Sequence, residues 1–451
     1  WNALTATGTA RGIDLIYHAQ GIDLSNYTAG SVKSALSEDG KSEYDIEAVR
    51  EGGTVKRIAY NSYQFKGART AETVGGETWG GRSVIGNTTT GNEITVGSGA
   101  HTNVYGGWTT GADATAADKG NSTYNKVTVK GSARVISTVY GGYTDVTGGK
   151  ATGNAVTIDR DVLGRVIGGE AKGAATGNTV TINADTRDVT GGKSTGGEAS
   201  GNIVTINTNA TNVTGGEAQG NAMGNTVTIN AAISDVTGGK SAGGEASGNT
   251  VTVGKVTVYH NINGGSGATT KNNTVNINGT TVRGTITGGT QADGTGNTLN
   301  AAGTNTAANI GGFQKVAFNT SGVAAHGTVL DLTGGVQTKV DWTTLTVTGT
   351  AEKPLTLLKN ESGIELAGYT GAAKSETTDT TETNVDVRKN SLGKITAITY
   401  EGYQFAGVTT PVIIGTDAYG GISRAGNSTH DNAITVNGDY TNVYGGHTSG
   451  A

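Results

Sequence analysis

The chain has 451 residues, among them 77 Gly, 2 Pro, one Met and no Cys, with a formal charge of -5 from 32 basic and 37 acidic side chains. So much glycine beside so few aromatic residues excludes the large core of an α/β enzyme, and charges this evenly mixed exclude the basic stripe that nucleic acid requires. The missing thiols exclude a disulfide framework and a thiolate metal site, and suit a chain exported through an oxidising compartment.

Residues 1–79 read as the strand-rich start of a first module. Two alternating stretches at 45–49 and 55–60 flank Gly52-Gly53, which predicts a β-hairpin that either projects from the rest or joins one stack of coils to the next. From about residue 80 to 320 one pattern recurs. Its best-kept element is Gly-Asn-x-Val-Thr-Ile, with the Asn at Asn92, Asn125, Asn154, Asn178, Asn202, Asn225, Asn249, Asn273 and Asn297, and from Asn154 onward the spacing is 23 or 24 residues. Between these lies Val-x-Gly-Gly, as at 166–169, 189–192, 213–216 and 236–239. In Thr179-Val180-Thr181-Ile182 the apolar residues alternate with polar ones, so Val180 and Ile182 share one face of a strand. Gly-Asn and Gly-Gly read as turns, because Gly supplies positive φ and Asn tolerates it. A helix fails at this glycine density, since each interior Gly costs about 1 kcal/mol.

A unit of about 24 residues cannot bury its apolar face alone, but stacked on a copy of itself it extends both strand pairing and core. The predicted fold is therefore all-β: a right-handed parallel β-solenoid, or β-helix, with a β-hairpin in each module. Val180, Ile182, Val204, Ile206, Val227, Ile229, Val251 and Val253 are its expected core. Two ladders follow from such stacking. Asn154, Asn178, Asn202, Asn225, Asn249, Asn273 and Asn297 would hydrogen-bond coil to coil. Lys150, Glu170, Lys193, Glu217 and Lys240 alternate in sign, as opposed neighbours on paired strands should. Residues 321–341 close the first module. Residues 342–451 then repeat 1–112: Trp1 reappears as Trp342, Tyr63-Gln64-Phe65 as Tyr403-Gln404-Phe405, and Tyr105-Gly106-Gly107 as Tyr444-Gly445-Gly446, at an offset of 339 to 342. The chain starts at Trp1 without a leader-like segment and stops inside the motif at 448–451, which reads as a fragment of a longer protein.

Val-Tyr-Gly-Gly-Tyr at 139–143, Gly-Asn-Thr-Val-Thr-Ile at 177–182 and Ile-Gly-Gly-Phe-Gln at 310–314 resemble the passenger regions of large autotransporter adhesins of Gram-negative anaerobes and enterobacteria. So do the strands at 316–318, 345–348 and 355–358. The resemblance implies a β-helix secreted through a membrane barrel outside this chain, and a place at the bacterial cell surface, outside the cell.

No catalytic, cofactor or metal site is expected. The six His residues share no ligand spacing, and Gly192-Lys193-Ser194 lacks the first glycine of a phosphate loop. The enzyme alternative is a β-helical polysaccharide-active protein of tailspike or lyase type, for which Asp185, Asp188, Glu198, Asp235 and Glu245 are the available acids. The candidate contact residues are aromatic: Tyr105, Trp108, Tyr140, Tyr143 and Tyr444 form a short stack that either meets a partner or widens and seals the core. The expected function is a structural and adhesive stalk. Its expected partners are other copies of itself and surface glycans or proteins of host or bacterium.

Overall fold

The computed structural model describes residues 1–6, 12–111, 119–289, 294–349 and 354–449. The parts of the module repeat at 7–10 and 350–351, and the closing residues 450–451, lie outside them. Among the described residues every regular element is a strand, and coils of about 24 residues stack in parallel as a β-solenoid. The chain divides into two compact units, Trp1–Val227 with Gly238–Ala246, and Thr228–Thr237 with Ser247–Ala451.

The first unit begins with a four-stranded antiparallel sheet. Its strands are β1 (Ile13–Tyr17), β2 (Val32–Leu36), β3 (Ser42–Glu51) and β4 (Thr54–Gln64), in the order β1-β4-β3-β2. Gly52 and Gly53, at φ 61° and 85°, make the tight turn of the β3–β4 hairpin. Coils follow, each with three strands. One turn of the stack runs Ala175–Thr176, Thr179–Ile182 and Asp188–Ser194, and each strand pairs in parallel with its counterpart one coil later. Val180, Ile182, Val204, Ile206 and Val227 are fully buried, while Thr181 and Thr205 lie half-exposed on the opposite face. Burying each such Val or Ile contributes roughly 1.5–3 kcal/mol, which supplies a core that grows with every coil.

The residue before each ladder Asn turns the chain through the left-handed region. Gly153, Gly177 and Gly201 have φ of 66°, 63° and 63°. Tyr124 and Asn272 take the same place at φ 54° and 52°, so the bend belongs to the coil and glycine is its least costly occupant.

The Gly-Gly pairs of the long coil strands do not turn, contrary to their sequence reading. Gly141-Gly142 lies inside the strand Arg134–Thr144, and Gly168-Gly169 inside Arg165–Ala171. The alternation breaks there: Val139 is buried, Tyr140 half-exposed, Gly141 and Gly142 both buried, Tyr143 half-exposed. A methyl group on Gly168 would stand 2.3 Å from the Gly191 carbonyl oxygen and one on Gly169 would stand 2.6 Å from Asn178 Oδ1. These glycines are required for space, not for φ.

In the second unit the parallel pairing passes through the module boundary at 342. Lys315–Asn319 pairs with Thr346–Thr348, Thr328–Leu332 with Leu355–Asn360, and Thr338–Asp341 with Ile364–Ala367. Ile229, Val251 and Val253 are buried here as expected. The second hairpin, Thr381–Lys389 with Ile395–Gln404, is hydrogen-bonded edge-on to Leu355–Asn360, and its tip is open, with Leu392 87% exposed.

Candidate functional site

The ladder asparagines form a buried column. Asn154 Nδ2 donates to Asn178 Oδ1 at 3.0 Å and to the Ser122 carbonyl at 2.9 Å, while its backbone N–H also donates to Asn178 Oδ1. Asn178 repeats this toward Asn202 and Ala151, and Asn202 toward Asn225 and Ala175. Both amide protons and both lone pairs of each side chain are thus used at zero exposure, the condition under which a buried polar group ceases to be a cost. In the second unit Asn249 donates to Asn273 and Asn273 to Asn297, and the Asn297 backbone N–H then donates to Gln314 Oε1.

Outside the core run two columns. Tyr143, Glu170, Lys193 and Glu217 stand in register, with Lys240 beyond. Lys193 Nζ lies 2.9 Å from Glu170 Oε1, and Lys240 Nζ lies 3.1 Å from Glu217 Oε1. Lys150 is not part of this column. Val146-Thr147-Gly148-Gly149 imitates the strand motif, but Val139 and Gly142 hold the register opposite Val166 and Gly169, which places Tyr143 beside Glu170. Gly148, at φ 75°, turns the chain and leaves Lys150 exposed.

Trp79, Tyr105 and Tyr140 stand in register on one outer column, and Arg82, Trp108 and Tyr143 on the next. The Tyr105 and Tyr140 rings stack at 4.9 Å and 2°, and Tyr105 stacks on Trp108 at 5.2 Å. The Arg82 guanidinium lies 4.6 Å from the ring centroids of Tyr63, Trp79 and Trp108. Burial raises the Tyr105 hydroxyl pKa, with the Glu77 carboxylate adding to it, and pushes Tyr140 up to about 12, so both stay protonated hydrogen-bonding groups at neutral pH. Val104 and Val139 fill the inner positions beside Tyr105 and Tyr140, which lie half-exposed, while Trp79 is itself buried. In the second module Tyr419 and Tyr444 stack at 4.9 Å beside His447, with Ile422 where the first has Arg82.

Sequence reasoning missed a carboxylate clamp that fastens each hairpin to the first coil. Glu43 on β3 is fully buried and accepts from Ser83 Oγ at 2.7 Å, from Asn87 Nδ2 at 2.8 Å and from the Val84 backbone N–H. Burial pushes its carboxyl pKa up against those hydrogen bonds. The hydrogen bonds recur at Glu382 in the second module, which accepts from Ser423 Oγ at 2.8 Å, Asn427 Nδ2 at 2.7 Å and the backbone N–H groups of Arg424 and Ala425. The available signal was the repeat itself: Glu43, Ser83 and Asn87 recur as Glu382, Ser423 and Asn427 at offsets of 339, 340 and 340.

The acids considered for catalysis are scattered. Asp185 accepts from Thr208 and Asp188 from Asn212, Glu198 accepts from Ser200, and Asp235 faces His260. Glu245 sits in a short strand of the sheet, half-exposed. A pocket of about 230 Å³ in the second unit holds two carboxylates, Glu382 and Glu401, with Tyr403 and Arg424. There Glu382 is engaged in the clamp, and the Tyr403 hydroxyl donates to Glu401 at 2.9 Å. Among the described residues no group of three or more metal-ligating side chains converges, and no helix is long and apolar enough to cross a membrane. No family model matches this chain, and neither a curated protein nor a solved structure matches it.

Proposed function

We propose that this chain is a stalk segment of a long secreted surface fibre, a spacer that carries binding surfaces away from a bacterial cell. One observation carries the reading: among the described residues the parallel strands of the second unit continue from one module into the next at residue 342 with no capping element between them. A duplicated globular domain would close its own edges, whereas here the end of one module is the pairing partner of the next. The passenger-like motifs at 139–143 and 177–182 favour a surface location, and the outer columns supply faces for other copies or for surface glycans and proteins. Export and membrane attachment would then belong to a region outside this chain.

Against the polysaccharide-active alternative stands the state of its best-placed acid, since all of the clamp donors converge on Glu382. The deciding experiment images single chains by electron microscopy alongside a reducing-end assay on bacterial and host polysaccharides. Slender rods that lengthen by about 4.8 Å for each added coil, with no released sugar, are expected. Compact particles, or hydrolysis abolished by Glu401→Gln, would overturn the reading.

A further inference from the structure

The two module starts have the same fold but not the same cover. β1 pairs antiparallel with β4, Ile13 opposite Tyr60, and Leu355–Asn360 pairs antiparallel with Ile395–Gln404, Leu355 opposite Tyr400. On its other side Leu355–Asn360 carries Thr328–Leu332 in parallel, Leu330 opposite Leu358. β1 is the edge of its sheet. The consequence appears residue by residue: Ile13 is 41% exposed where Leu355 is 3%, and Ile16 is 45% exposed where Leu358 is 0%. Trp1 and Leu4 are half-exposed, while Trp342 and Leu345 are buried at 5% and 3%. Ile364–Ala367 is a strand beneath Thr338–Asp341, whereas its counterpart at 22–25 is not a strand. An exposed apolar strand edge is a pairing template that proteins normally blunt with charge, proline or cover.

We infer that β1 is a docking edge for the closing coil of another module, a strand of the Thr328–Leu332 kind laid parallel on β1 with its Leu330 equivalent opposite Ile16. The inference rests on the stalk reading for the kind of partner, and on the covered junction in the second unit for its register. Leu330 gives the complementarity: it is fully buried opposite Leu358 in the second module and would meet Ile16 on the first.

The test adds a second copy of residues 249–341 directly ahead of Trp1 in the full chain, reproducing the 341–342 connection, and follows hydrogen exchange at the β1 amides. Exchange is expected to slow on the order of 100-fold or more, approaching that of the 355–360 strand. A disulfide should form between Ile16→Cys and Leu330→Cys of the added copy, and Leu330→Asp in that copy should abolish both effects. Unchanged β1 exchange would overturn the inference, whether the added segment folds elsewhere or not at all, because the same segment orders the 355–360 strand. So would equal protection from the Leu330→Asp extension. Rod-shaped single chains with an unprotected β1 would reject this docking edge and leave the stalk reading standing.

Discussion

The inner Asn column and the outer charged column share one stack and one period, yet they bear different loads. Asn178 is fully buried with every hydrogen-bonding site engaged, whereas the Lys240 and Glu217 side chains are 57% and 37% exposed. In the core a lost partner strands polar groups that water cannot reach, while at the surface water replaces what is lost. The period of the sequence sets position, and burial sets energetic weight.

The largest expected effect follows from removing one rung. Asn178→Ala would leave the Asn154 N–H and side-chain amide without their acceptor and the Ala151 carbonyl without its donor. A loss of about 3–5 kcal/mol is expected, read as faster hydrogen exchange in the adjoining strands Ala155–Ile158 and Thr179–Ile182. An effect below about 1 kcal/mol would place the column's weight elsewhere.

Two glycines separate space from conformation. Gly168→Ala forces a methyl group to within 2.3 Å of a carbonyl oxygen and should cost about 2–3 kcal/mol in denaturant titration. Gly177→Ala meets open space at φ 63° and should cost about 1 kcal/mol, and Gly177→Asn less, as Asn272 adopts that bend natively.

Glu43 extends the comparison to a buried charge. Its folded carboxyl pKa is raised, so its contribution is fully present below the unfolded value of about 4.3 and is lost as pH rises through the folded value. Protection of the β3–β4 hairpin should therefore increase as pH falls from neutrality toward 5, and Glu43→Gln should flatten that dependence. The smallest effects belong to the outer pairs. Double-mutant cycles should give a coupling of about 0.5–1 kcal/mol for Glu170–Lys193, whose side chains are 15% and 28% exposed, and about 0.2–0.5 kcal/mol for Glu217–Lys240.

The solenoid was legible in the sequence because Val180 and Ile182 alternate locally and Asn154 to Asn297 recur at a fixed interval; both signals survive without knowledge of distant contacts. The role of Gly-Gly was not, because a glycine needed for φ and one needed for room look alike until Asn178 is seen packed against Gly169. Lys150 was misplaced because two copies of the same short motif compete for one register, and only the pairing of Val139 with Val166 decides between them. The Glu43 clamp joins residues about 40 apart through polar contacts with no periodicity, so only its recurrence at Glu382 could have revealed it.

The parallel in-register stack can be tested by disulfide formation, since the chain has no cysteine of its own. Thr181 stands opposite Thr205 on adjacent coils, both half-exposed, at the separation of paired strands that a disulfide spans. Thr181→Cys with Thr205→Cys should oxidise rapidly and completely without loss of fold, and Thr181→Cys with Thr208→Cys should not. Equal cross-linking of both pairs, or none at 181 and 205, would contradict the stacked register on which the account depends.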